Sequence, residues 1–308
     1  MKTHAQPSAP LRRRRKRFRK ALFKGLYNGV LAVLRCRFWL ESRLVPQRAA
    51  VRALKMFTTP QRLRRRFPST LPGATVQDLE TAQGHLRCFG WTPPQVRRRV
   101  LLVHGWSGAS TQWQYLIPRL LEQGCEVLSF DCIGHGDSGG RQASLPTFVS
   151  MLGLVQQQLG PFDTVIGHSL GGAAVGYALS TRAGEGFERA VLVAAPADIE
   201  NVVRRFAALL WINGNVRQRM QRLLEQRYQK GLRSLAVSGY GGQVHIPVLL
   251  VHDQQDQEIP VDDLHAFAER LPRPLVLQTR GLGHLNILKN DAALAAVVEF
   301  VCTKDLNL

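Results

Sequence analysis

Apolar and polar positions follow two regimes along this chain. Over residues 21–38, Leu22, Leu26, Val30, Val33 and Phe38 recur at roughly helical spacing among arginines, which predicts an amphipathic helix. A second helix is expected around 47–57, ending before Thr59-Pro60. Residues 1–10 are polar and Pro-containing and read as disordered, and RLRRRFPSTLP (62–72) reads as a linker. From residue 75 the pattern changes. VQDLE and HLRCFGW look like a short hairpin. Short apolar runs then alternate with helical periodicity: VLLVHG (100–105), EVLSFD (126–131), TVIGHS (164–169), AVLVAAP (190–196), VLLVHD (248–253) and LVLQTR (275–280). Helices are expected near 112–123, 146–159, 170–181, 261–271 and 290–302, with a longer helical insertion over 197–243. Strands alternating with helices imply an α/β fold with a doubly wound, mostly parallel sheet, and runs of Val, Leu and Ile fit strands covered on both faces.

Charge divides the chain more sharply than composition does. Twenty of its 41 Lys and Arg residues, but only one of its 22 acids, Glu41, lie in residues 1–70. The formal net charge of +19 therefore belongs to a basic N-terminal extension, 1–70, and the body, 71–308, is neutral. A basic tail on a neutral body points to an acidic partner surface, anionic lipid or nucleic acid. LRRRRKRFRK (11–20) before ALFKGLYNGVLAVL (21–34) superficially resembles a signal peptide. However, the apolar stretch has no small-x-small end and is well short of the ~20 residues that span a bilayer. Five cysteines, an odd number without Cys-x-x-Cys spacing, fit a reducing compartment. The expected location is cytoplasmic, with the inner membrane surface as a peripheral site. No HExxH, no Walker-type glycine loop and no His/Cys metal spacing occurs, so neither a zincin nor a P-loop enzyme is indicated and no metal site is expected.

The chemistry concentrates in four loops that follow strands. GHSLGG (167–172) contains Gly167-His168-Ser169-Leu170-Gly171 between a strand and a helix. A strand that turns at once into a helix strains the apex residue and requires small neighbours two positions either side. Ser169 is the candidate nucleophile. HGWSG (104–108) can turn the backbone toward a substrate oxygen. The amides of Trp106 and Leu170 are the candidate oxyanion donors. A serine needs a base, and the base needs an orienting carboxylate, in the chain order Ser, Asp, His. His284 in GLGH (281–284) fills the base position. HDQQDQEIP (252–260) supplies Asp256 as the preferred acid, with Asp253 read as a turn residue. Asp198, after AVLVAAP, is the rival acid. His104, His135, His168, His245, His252 and His265 read as structural.

HGWSG, FDCIGHGDSGG (130–140), GHSLGG, HDQQDQEIP and GLGH, in that order and spacing, resemble the α/β-hydrolase superfamily over about residues 75–305. They look most like its bacterial esterase or lipase-like branch. The resemblance implies the α/β-hydrolase fold with a small helical cap, here 197–243. It also implies cofactor-free hydrolysis of an ester, thioester or amide, with Asp131 and Gly134 shaping the pocket wall. Acyltransferases and peptidases share the fold, and a binding protein that keeps the fold without turnover is the rival from another class. Val216, Met220, Leu223, Leu224, Tyr228, Leu232 and Leu235 give the cap an apolar face, suited to a small hydrophobic ester-type substrate. Residues 11–38, with Phe18, Leu22, Phe23, Leu26, Tyr27 and Val30 entering the interface, suit an anionic membrane surface better than nucleic acid. No obligate protein partner is inferred.

Overall fold

The computed structural model describes residues 9–61 and 71–303, without the side chains of 9–24, 26 and 27. Residues 1–8, the centre of the expected linker (62–70), and the side chains of Phe18, Leu22, Phe23, Leu26 and Tyr27 lie outside the described residues.

The chain opens with two helices, α1 (Ala9–Leu44) and α2 (Pro46–Phe57), α1 running through the basic segment as well as the expected amphipathic one. Pro46 starts α2, where a proline costs no hydrogen bond. Two strands follow, β1 (Thr75–Thr81) and β2 (Gly84–Trp91), then β3 (Arg98–Val103), α3 (Ile117–Glu122), β4 (Cys125–Phe130) and α4 (Leu145–Leu159). The helix expected over 112–123 is two pieces, a 3-10 turn at Ser110–Trp113 and α3, with Pro118 in the first turn of α3. Next come β5 (Thr164–His168), α5 (Leu170–Ala178) and β6 (Arg189–Val193). The insertion after β6 folds as α6 (Ile199–Leu209), α7 (Gly214–Tyr228) and the short α8 (Val237–Tyr240) with 3-10 turns around it. The chain closes with β7 (Val248–Asp253), α9 (Val261–Arg270), β8 (Pro274–Thr279), α10 (Gly283–Asn286) and α11 (Asp291–Cys302).

The eight strands form one sheet in the order β1-β2-β4-β3-β5-β6-β7-β8. β1 and β2 pair antiparallel, as do β2 and β4, and every other pair is parallel. Strands β3, β5, β6 and β7 are buried nearly throughout, which explains their unbroken apolar runs. On one face Val100, Leu102, Ile166, Val191, Val193, Leu249 and Val251 share a core with Trp113, Leu120 and residues of α11. The chain winds from β3 outward to β4, then back across β3 to β5. The winding thus reverses at β3, and in such sheets a crevice opens beyond the carboxyl ends at that reversal.

Packing divides the chain differently from charge. One compact unit comprises residues 1–53 with 203–223, and the other comprises 54–202 with 224–308. The second unit contains the whole sheet. The first is helical and joins the N-terminal helices to the middle of the insertion. Within it Arg35 Nε donates to the Leu209 carbonyl at 2.8 Å and Asn213 Nδ2 to the Ser42 carbonyl at 3.2 Å. Phe38, Ala49, Ala50 and Ala53 from one segment, and Val203, Ala207, Val216 and Met220 from the other, are fully buried. Among the described residues no helix is long and apolar enough to cross a membrane.

Candidate active site

Three strand ends of the second unit converge on Ser169. It follows β5 directly and has φ 53° and ψ −123°, a region that non-glycine residues rarely occupy. The surrounding glycines are sterically required. A Cβ on Gly167 would lie 2.5 Å from the Gly171 carbonyl oxygen. One on Gly171 would lie 2.4 Å from the carbonyl oxygens of both Val103 and His104. The amide of Ser169 donates to Val193 O at 2.9 Å, tying the apex to β6. Its side chain is half-buried at the N-terminus of α5, whose first amides point outward.

The HGWSG turn after β3 presses against this apex. A Cβ on Gly105 would stand 3.0 Å from Ser169 Cβ and 2.9 Å from His168 Nδ1. Gly108 N closes the turn on Gly105 O at 3.0 Å, with Ser107 at φ 56°. His104 holds it from inside: its Nε2 accepts from the Cys132 amide at 2.9 Å, which leaves Nδ1–H to donate to Gly105 O at 2.7 Å. Trp106 packs edge-on against His135, with ring centroids 5.1 Å apart. The amides of Trp106 and Leu170 donate to no backbone carbonyl among the described residues. Asp131, at the end of β4, accepts from the amides of Ser110 and Asp137 at 2.7 and 2.8 Å and joins two loops.

On the other side, His284 Nδ1 meets Asp256 Oδ2 at 2.7 Å, both residues being buried. The second carboxylate oxygen of Asp256 accepts from the amides of Glu258 and Ile259 at 2.8 and 3.0 Å. Burial alone would raise its pKa, but the hydrogen bonds from His284 and these amides outweigh that and hold it below the usual carboxylate value. Asp198 instead accepts from Glu200 N at 2.7 Å, starting α6. Asp253 accepts from Gln255 N, Thr279 Oγ1 and Leu282 N, at 2.9, 2.8 and 3.0 Å, and so fastens the loop that carries His284. Burial opposes the charge on Asp253, yet these bonds draw its pKa down to about 2. The expected open loop at 281–284 is partly helical, since His284 lies in the one-turn α10.

The structure thus brings Asp256 and His284 together. It brings Ser169 against the HGWSG turn. The Ser169 hydroxyl itself makes no hydrogen bond to His284; the link runs through His168. His168 Nε2 lies 3.1 Å from the His284 carbonyl oxygen, and the two rings are 4.7 Å apart. Burial pushes the pKa of His168 down to about 3, so it is neutral and can donate that bond. Two other groups near His284 and Asp256 have no signature in the sequence: Glu258 Oε2, 3.7 Å from His284 Nε2, and His252, whose Nε2 is 3.8 Å from Asp256 Oδ2. Among the described residues no cluster suited to holding a metal ion occurs.

Comparison with known proteins identifies the fold and the family. The sequence profile of the Alpha/beta hydrolase family matches residues 100–299, well over half of the chain. The chain belongs to this family. The family assignment supports a hydrolase. Solved structures share the fold at low identity. An esterase from Exiguobacterium antarcticum superposes with a TM-score of 0.58 at 17% identity, covering 74% of this chain and 100% of its own. A thioesterase domain from the curacin biosynthetic pathway gives 0.56 at 20%, covering 75% and 99%. A monoacylglycerol lipase from Paleococcus ferrophilus gives 0.55 at 19%, covering 70% and 98%. No curated protein sequence matches the chain.

Proposed function

We propose that this hydrolase cleaves a carboxylic ester or thioester through an acyl intermediate on Ser169. His284 acts as general base and Asp256 as the carboxylate that orients it. The observation that carries the reading is the 2.7 Å contact between His284 Nδ1 and Asp256 Oδ2, in the loops next to the strained Ser169. That contact keeps the proton on Nδ1 and leaves the Nε2 lone pair to take the serine proton as the hydroxyl attacks. Nε2 then returns the proton to the leaving group. The amides of Trp106 and Leu170, which have no backbone partner among the described residues, would receive the oxyanion, helped by the positive end of α5. Exposed Leu285 beside the base and half-buried Trp106 offer apolar surface, which supports esters of medium acyl length over acetate.

Fluorophosphonate labelling tests this directly. Ser169 should be the modified residue, Ser169→Ala should not label, and His284→Ala should label far more slowly. Absence of labelling on the folded wild-type chain at high probe concentration would sink the proposal. A chain-length series of p-nitrophenyl esters then reads the acyl preference.

A further inference from the structure

The helical unit, residues 1–53 with 203–223, holds twenty basic residues and one acid, Glu41, so it carries the whole net charge while the sheet-bearing unit is neutral. It is also where apolar surface is left open. Among the described residues, nine of the fourteen large hydrophobic side chains exposed to solvent belong to it, although it is about a quarter of the chain. On α1, Val30, Val33, Leu40 and Leu44 form one stripe at helical spacing, opposite the buried Phe38 and Ser42. Leu44 is 69% exposed and Val33 68%. Beyond the stripe, Trp39 is open and Arg43 lies over its ring at 4.0 Å. The insertion adds exposed Leu209 and Trp211, held beside α1 by Arg35, which bonds the Leu209 carbonyl and lies 5.2 Å from the Trp211 ring.

We infer that this unit is a docking surface for an anionic lipid bilayer, built jointly by α1 and the α6–α7 segment of the insertion. The inference is independent of the hydrolytic reading. Open Val and Leu side chains flanked by arginine-capped tryptophans match an interface with hydrocarbon below and phosphate above. A polynucleotide would use the charge but leave the apolar stripe without a partner. A second copy would bring two surfaces of the same high charge together.

The test is co-sedimentation of the full chain with phosphatidylglycerol/phosphatidylcholine vesicles against phosphatidylcholine alone, at several salt concentrations, with tryptophan emission recorded. Trp91 and Trp113 are buried and Trp106 is half-buried, so comparison with W39F/W211F isolates the part of a blue shift that comes from the exposed Trp39 and Trp211. That part should disappear in the double variant. Binding should need the anionic lipid and weaken with salt. V33S/L40S/L44S, which leaves every charge in place, should bind at least about tenfold more weakly. Circular dichroism checks its fold, and Leu44→Ser alone keeps the test decisive if the triple variant misfolds. Unchanged binding by the serine variants would overturn the inference, because charge alone would then suffice. So would tighter binding to RNA than to vesicles at matched salt. A dimer that the triple variant dissociates, without vesicle binding by the wild type, would overturn it as well.

Discussion

Asp256→Asn removes one charge and replaces one oxygen by NH2, and the geometry decides which way the amide turns. In the wild type one oxygen accepts two backbone N–H groups, from Glu258 and Ile259, and the other accepts from His284 Nδ1. If the Asn oxygen keeps the two amides, its NH2 faces Nδ1. If it turns round, the NH2 faces two donors, and both bonds are lost inside a buried site. Leaving buried donors unpaired costs about 1–3 kcal/mol each, so the first orientation wins. The NH2 then forces Nδ1 to accept, and the imidazole proton moves to Nε2, the nitrogen that must take the serine proton. The base is held in the wrong tautomer. The expected loss is about 10³–10⁴-fold in kcat with KM little changed, or about 4–5.5 kcal/mol of transition-state stabilisation. Steady-state hydrolysis of p-nitrophenyl butyrate measures it, and urea unfolding should show a stability near the wild type's. Asp198→Asn, at the start of α6, should keep most activity. A loss below tenfold for Asp256→Asn, or a larger loss for Asp198→Asn, would refute the reasoning.

Two further outcomes follow from the packing. Gly171→Ala should destabilise the fold by about 3 kcal/mol in chemical denaturation and abolish activity, because its methyl would sit 2.4 Å from two backbone carbonyl oxygens; near-wild-type stability would show that the β3 end can yield. His168 titrates near 6.5 when unfolded but near 3 when folded, so its contribution is complete above pH 6.5 and is lost as pH falls from there toward 3. Between pH 6.5 and 5 this removes about 2 kcal/mol of stability, a loss that His168→Asn should largely remove; equal pH slopes for the two proteins would contradict it.

The sheet and the loops after its strands were legible because both rest on local rules. Buried parallel strands demand unbroken apolar runs, and those runs give β3 through β7, while the edge strand β8, half-exposed, shows a shorter one. The glycines of GHSLGG announce the apex because backbone atoms lie within 2.5 Å of where a Cβ would stand, a constraint that only glycine meets. The contact between Asp256 and His284 joins two residues that chain order singles out, with the carboxylate in the loop beyond β7. The parts that were not legible depend on distant contacts. His168 looked like a structural neighbour of the serine. Its bond to the His284 carbonyl spans 116 residues, and nothing at position 168 signals it. Asp253 reads as a turn residue from its own loop, and it is one, but its second oxygen also anchors the loop that carries His284.

The helical unit shows why charge alone could not reveal the packing. Residues 1–70 hold twenty basic residues and one acid, and so does the unit formed by 1–53 with 203–223. Lys55 and the four arginines at 62, 64, 65 and 66 leave the count, and Arg204, Arg205, Arg217, Arg219 and Arg222 enter it. Both divisions make the remainder neutral, so electroneutrality of the body favours neither. What separates them is where apolar side chains are buried. Ala49, Ala50 and Ala53 project little from a short helix, so another element must approach α2 closely for them to be buried at all. Small residues at helical spacing in a segment otherwise rich in arginine are therefore the sequence sign that such a segment packs, and here it was masked by the charge around it. The same contrast sets the two faces of α1 apart: where Phe38 and Ser42 are buried the helix belongs to the protein, and where Val33, Leu40 and Leu44 remain open its surface is free for a partner.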